Sequence, residues 1–228
     1  MKNITFVVAV RKGSKRVKNK NTRKFGNLSL LEIKLKQIRK VYKSAIIFLS
    51  SDCNKSLKVG KKYKVIIDRR PSKYTNPKTP MKKVYKYFAK KIKTKYVCYL
   101  HVTSPFLKDL SLKKAIGTFL KNEKKGRYNC LATASEVQEY FWDKNQAINY
   151  DPKNHQRSQD LKKILALNFA VNIVRTNYMA KYGRITSDNF YPYILNFPEN
   201  IDIDNKWQFM IGDFIQKNRH KFTNLKND

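Results

Sequence analysis

The sequence predicts a three-layer α/β fold, with a mainly parallel sheet covered by helices on both faces. Two observations carry this. Short β-branched runs, apolar on both faces, recur along the chain as strands buried from two sides do. Longer amphipathic segments separate them, which is the order of βαβ units.

Taken in order, ITFVVAV at 4–10 reads as the first strand and leads into RKGSKRVKNKN. The first helix follows, with Leu31, Leu35, Ile38 and Tyr42 on one face. AIIFLSS (45–51) and KVIID (64–68) read as the next strands. From Lys78 onward Met81, Val84, Tyr85, Phe88, Ala89 and Ile92 keep helical spacing, before the strand YVCYLHV at 96–102. CLATAS at 130–135 is a fifth strand. From Ser135 to about Leu165 the chain turns polar and aromatic without period, a long irregular insertion of the kind used for function or assembly. The segment 157–174 then enters another strand, and Trp207, Ile211, Phe214 and Ile215 mark the inward face of a last helix. There is no repeat and no linker, so 1–228 reads as a single domain with an insertion at about 135–165.

The 228 residues hold 50 Lys and Arg against 16 Asp and Glu, a net charge of +34. Such a balance attracts polyanions non-specifically. The lysines are spread over nearly every helix, and Lys, Asn, Ile, Tyr and Phe all have A/T-rich codons, so composition is an alternative source of the charge. A nucleic-acid-binding protein is the rival class; it requires one continuous basic face with exposed aromatic platforms. Three scattered cysteines, Cys53, Cys98 and Cys130, form neither a disulfide framework nor a zinc spacing. With no signal-peptide pattern and no apolar run of membrane-spanning length, a cytoplasmic protein without a membrane partner is expected.

Ligands of doubly wound sheets bind beyond the carboxyl ends of the strands, so the loop after the first strand is a privileged place. Gly13 and Ser14 can turn backbone N–H groups to phosphate, and Arg11, Lys15 and Lys20 supply positive charge. Neither a Walker loop nor a dinucleotide fingerprint is present. The alternative is a solvated basic loop. Far along the chain, Asp202 and Asp204 stand at i and i+2 of an extended segment, a pairing suited to a hard cation such as Mg²⁺. The alternative there is an N-cap, with Asp204 or Asn205 starting the last helix. His101, Thr103 and Ser104 offer neutral donors at the end of the fourth strand, although a lone histidine is more often structural. Arg157 and Asn168 flank the entrance to the later strand.

Together these motifs resemble the acylneuraminate cytidylyltransferase family, synthetases of CMP-activated acidic sugars. Arg11-x-x-Ser14 followed by Lys20-Asn21, then Arg70-Pro71, Thr103-Ser104-Pro105, RSQDL at 157–161, Asn168-Phe169-Ala170 and Asp202-Ile203-Asp204 fall in the family's order over nearly the whole chain. The resemblance implies a Rossmann-like nucleotidyltransferase sheet with a protruding dimerisation insertion. It implies transfer of CMP from CTP to the anomeric hydroxyl of a nonulosonic-type sugar, with release of pyrophosphate. It gives Arg11, Gly13, Ser14, Lys15, Lys20, Asn21 and Arg70 to the nucleotide, and His101, Thr103, Ser104 and Asn168 to the sugar. Asp202 and Asp204 would hold Mg²⁺ and, with Arg11 and Lys20, carry catalysis. It also implies a homodimer in which Arg157 reaches the partner's site. The sequence departs from the pattern mainly on the sugar side: His101 stands for glutamine, Leu107 for arginine and Phe169 for glycine. A relative that binds nucleotide without turnover is the alternative these departures leave open.

Overall fold

A computed structural model describes residues 2–222. Its strands are β1 (Ile4–Ala9), β2 (Lys24–Phe25), β3 (Leu28–Ser29), β4 (Ile46–Ser51), β5 (Ile66–Arg69), β6 (Tyr96–Leu100), β7 (Cys130–Val137), β8 (Trp142–Asp143), β9 (Gln146–Ala147), β10 (Ile164–Arg175) and β11 (Phe190–Ile194). The helices are α1 (Leu30–Val41), α2 (Asn54–Lys62), α3 (Met81–Lys91), α4 (Asp109–Lys124), α5 (Thr176–Tyr182), α6 (Lys206–Lys217) and α7 (Arg219–Phe222).

Seven strands form one sheet in the order β11-β7-β10-β6-β1-β4-β5. All neighbours are parallel except β10, which runs antiparallel between β6 and β7. Alternation along β1 explains the three layers. Phe6 and Val8 pack with Leu31, Leu35 and Ile38 of α1 and with Ile116 and Phe119 of α4. Val7 faces the other way, toward Val84 and Phe88 of α3 and Met179 of α5. The helix starts follow local chemistry: Ser29 and Glu32 close a capping box on α1, satisfying two N–H groups that the first turn leaves open. No helix among the described residues is long and apolar enough to cross a membrane.

Three sequence expectations shift. The inward face of α6 is not the predicted one: Trp207 is 74% exposed, Phe214 60% and Ile211 58%, and only Ile215 packs partly on the core. Phe209 and Gly212 go inward instead. A Cβ on Gly212 would lie 2.8 Å from Ile203 and 2.9 Å from the Phe25 ring, so the missing side chain lets the helix sit that close. Met81, predicted on the inward face of α3, is exposed at that helix's first turn. The irregular insertion is narrower than predicted, because β7 runs on to Val137 and pairs with the start of β10 at Ile164. Residues 138–163 between them hold a two-residue hairpin and an aromatic cluster, Tyr140 against Tyr150 at 5.0 Å and His155 at 4.8 Å.

Candidate active site

β1 and β6 are parallel neighbours, so the loops that follow them open at the same edge of the sheet. The first loop turns at Gly13, whose φ of 78° lies in the left-handed region that favours glycine. The 201–204 segment comes alongside the second, Ile203 N–H donating to the Thr103 carbonyl at 2.8 Å. Lys20 joins the pieces. Its nearly buried ammonium donates to the Ile203 carbonyl at 2.7 Å and to Asp204 Oδ1 at 3.2 Å.

These loops enclose a cleft of about 480 Å³ lined by Arg11, Ser14, Lys15, Lys20, Asn21, His101 and Thr103, all singled out in the sequence. Arg16 and Tyr99 line it as well and were missed. Arg16 could have been found as the next cation of the loop, and Tyr99 by its place two residues before His101 on one strand face. Arg16 donates to Asp204 Oδ1 at 2.8 Å, so two cations meet on one carboxylate.

Of the two residues that could start the last helix, Asn205 does so. Asn205 caps α6, its side chain accepting from Gln208 N–H at 2.9 Å. Asp204 is thereby free of capping duty. Asp202 accepts a hydrogen bond from the Thr103 side chain, and its buried Oδ1 has no partner among the described residues. Burial, then the Asp204 charge, hold its carboxyl above the usual carboxylate range against that hydrogen bond. It borders an adjoining hollow with Ile201 and Gln208. Among the described residues no group of three or more His, Cys, Asp or Glu is placed to hold a metal ion, so a hard cation at this pair would draw the rest of its shell from waters and phosphates.

Gly13 and Asp204 also stand outside the cleft lining, as do four other predicted residues. Arg70 is turned inward: it donates to the carbonyls of Ser50 at 2.6 Å and Val10 at 3.4 Å and to Ser50 Oγ at 3.0 Å. Its guanidinium stacks over Phe88, 5.1 Å from the ring centre, so it braces the start of the first loop from behind. Ser104 is buried, its carbonyl accepting from Lys34 at 3.0 Å. Asn168 donates to Ser135 Oγ at 3.1 Å and accepts from Ala170 N–H at 3.3 Å. Arg157 pairs with Asp160 at 2.9 Å inside the insertion.

Behind the second loop, α1 supplies polar props. Lys34 is fully buried and bonded to Ser104 and Gln37, while Gln37 donates to the Leu107 carbonyl. Burial lowers the Lys34 pKa to about 7, and it lowers that of His101 to about 4, so the imidazole in the cleft is neutral.

Residues 5–209 match the protein-family model described as cytidylyltransferase. The post-translational flagellin modification protein B of Campylobacter coli is 24% identical over 238 aligned residues, covering 96% of this chain and 97% of that protein. Among solved structures, CMP:2-keto-3-deoxy-manno-octonic acid synthetase complexed with CTP superposes with a TM-score of 0.67 at 9% identity, over 95% of this chain and 99% of the other. The 4-diphosphocytidyl-2C-methyl-D-erythritol synthase of Anaerococcus prevotii gives 0.66 at 12% identity, over 92% and 94%. At these identities the structural likeness concerns the fold.

Proposed function

The chain belongs to the cytidylyltransferase family and is a nucleotidyltransferase, and on that premise we propose that it transfers CMP from CTP to the anomeric hydroxyl of an acidic sugar. The observation that carries the reading is the tie between the cleft's cationic loop and the acidic segment beside it, Lys20 bonding to Ile203 and Asp204 and Arg16 to Asp204. In the reaction the sugar hydroxyl oxygen bonds to the α-phosphorus, the bond from that phosphorus to the bridging oxygen breaks, and pyrophosphate leaves. The hydroxyl proton passes to solvent.

Chemistry of this kind needs alignment and charge neutralisation more than covalent help from the protein. Arg11, Ser14 and Lys15 would hold the triphosphate at the open end of the first loop, with Lys20 fixed at its base. Arg16 is placed to exchange Asp204 for a phosphate oxygen. Asn21 would meet the cytidine, and Arg70 supports it indirectly through the Val10 carbonyl. His101 and Thr103 face the sugar side. Asp202 and Asp204 would hold Mg²⁺, which offsets triphosphate charge and polarises the reacting phosphorus.

Thermal unfolding with CTP, ATP, GTP or UTP, each with and without Mg²⁺, tests the nucleotide. A ligand that binds only the folded state stabilises it by about 2.7 kcal/mol at a hundred times its dissociation constant. The largest rise is expected with CTP plus Mg²⁺. Equal rises for all four would mean that charge alone does the binding, and would favour the polyanion reading.

The protein is further proposed to act in the cytoplasm as a homodimer. Supporting the second point, Phe197, Trp207, Met210, Ile211 and Phe214 form an exposed apolar set around α6, and Trp142 and Ile148 are exposed in the insertion. Isolated exposed apolar side chains are ordinary, but four on one helix with Phe197 beside them are the kind of patch that interaction sites use. Light scattering should give twice the chain mass for the wild type and a single chain mass for a Trp207→Lys, Phe214→Lys double variant. A wild-type monomer at micromolar concentration would refute the dimer.

A further inference from the structure

Between Leu167 and Asn172, β10 departs from the register of β7, and residues 168–171 stand opposite Thr133 alone. Phe169 sits in this bulge with φ at 54°, in the left-handed region where side chains beyond glycine and asparagine are strained. The surrounding bonds hold it there: Asn172 donates to the Phe169 carbonyl at 3.1 Å, and Val171 N–H donates to Thr133 Oγ1 at 3.0 Å. A bulky ring kept where glycine would fit without strain points to a use for the ring.

The ring lies nearly parallel to the His101 imidazole, 6.1 Å between centroids at an interplanar angle of 21°. Tyr99 meets that imidazole edge-on at 5.2 Å. His101 lines the cleft, yet its Nε2 is buried with no partner among the described residues. A polar atom walled off in this way normally costs stability, and such exceptions call for a reason. Phe169 is packed partly on the core beside Tyr99, behind the cleft lining, and its ring backs the His101 imidazole that the cleft exposes.

Resting on the acidic-sugar reading above, we infer that Phe169 is a specificity-determining residue, closing the space beside His101 so that the subsite takes acidic sugars carrying only hydroxyl groups there. A sugar acid with an acylamino group at that point would meet the ring. One with a hydroxyl or hydrogen would lay a C–H face against it.

The test uses the full chain and the variants F169G and F169N, both of which accept a left-handed backbone. CMP transfer is followed as pyrophosphate release with two acids, an eight-carbon 2-keto-3-deoxy acid bearing only hydroxyls and a nine-carbon acid bearing acylamino groups. The wild type should favour the first. F169G should shift the ratio of kcat/KM toward the second by about tenfold or more, mainly through KM, the scale on which a pocket discriminates one substituent. NMR titration of His101 should move upward from about 4 as solvent reaches the ring. A ring that serves packing alone would change the melting temperature and both sugars alike. An unchanged ratio in folded variants, or a wild type preferring the acylamino acid, overturns the inference and leaves the function standing. A wild type that binds CTP but uses neither acid overturns the acidic-sugar reading and this inference with it.

Discussion

Asp202→Asn should lower turnover by about two to three orders of magnitude, the usual scale for removing a group that stabilises charge in the transition state. The variant should nevertheless melt no lower than the wild type at neutral pH. Asp202 lies among groups that disfavour its charge: burial first, then Asp204, opposed by the Thr103 hydrogen bond. A carboxyl whose pKa is raised on folding binds its proton more tightly in the folded protein than in the unfolded chain. Its ionised form therefore subtracts from stability above the folded pKa, and the loss is relieved as pH falls through that value. Asparagine removes the charge at every pH and keeps the shape. The melting temperature of the variant should exceed that of the wild type most clearly at neutral pH, with the gap closing as the solution is acidified. Turnover and thermal unfolding at pH 7 and pH 5 test both halves. Full activity would take Asp202 out of the metal-holding role, and a lower melting temperature would make it a structural residue.

The sequence makes the scaffold of this site legible because its signals are local. Two-sided apolar runs mark β1, β4 and β6, and the spacing of Leu31, Leu35 and Ile38 marks α1. The loops after β1 and β6 carry the cleft; six of its lining residues follow from position and residue type, and Asn21 from the family resemblance. What stays hidden depends on which way a side chain points once elements pack. Arg70 lies at the right edge, but the carbonyls of Val10 and Ser50 and the Phe88 ring take it inward. On α6 the apolar residues keep helical spacing, yet the helix turns by its glycine: Gly212 permits an approach no side chain would, and apolar periodicity carries no sign of that. Asn168 is another case, since its amide closes a bulge whose existence depends on pairing with β7.

Lys20→Met is expected to cost both activity and stability, and the way the two losses respond to salt separates a structural clamp from a basic patch. Methionine keeps the unbranched length of the side chain and removes the charge. The Ile203 carbonyl would lose its 2.7 Å donor in a buried setting, which costs about 1–3 kcal/mol. Asp204 would keep Arg16 at 2.8 Å, so the acidic segment would stay near the loop but lose its fixed distance from it. Because this reaction depends on alignment, kcat/KM for CTP should fall by about a hundredfold, the scale of an ångström-sized misplacement. Arginine is not expected to rescue it, since a planar fork does not fit where a point charge meets one carbonyl and one carboxylate oxygen. Lys15, in contrast, is exposed on the same loop, and its removal should weaken CTP modestly, by an amount that shrinks as salt screens it. The Lys20→Met defect should persist from low to high salt, because a charge with a 10% exposed side chain is poorly screened. If the two variants instead lose affinity together, and salt erases both effects, the first loop attracts anions without gripping a triphosphate.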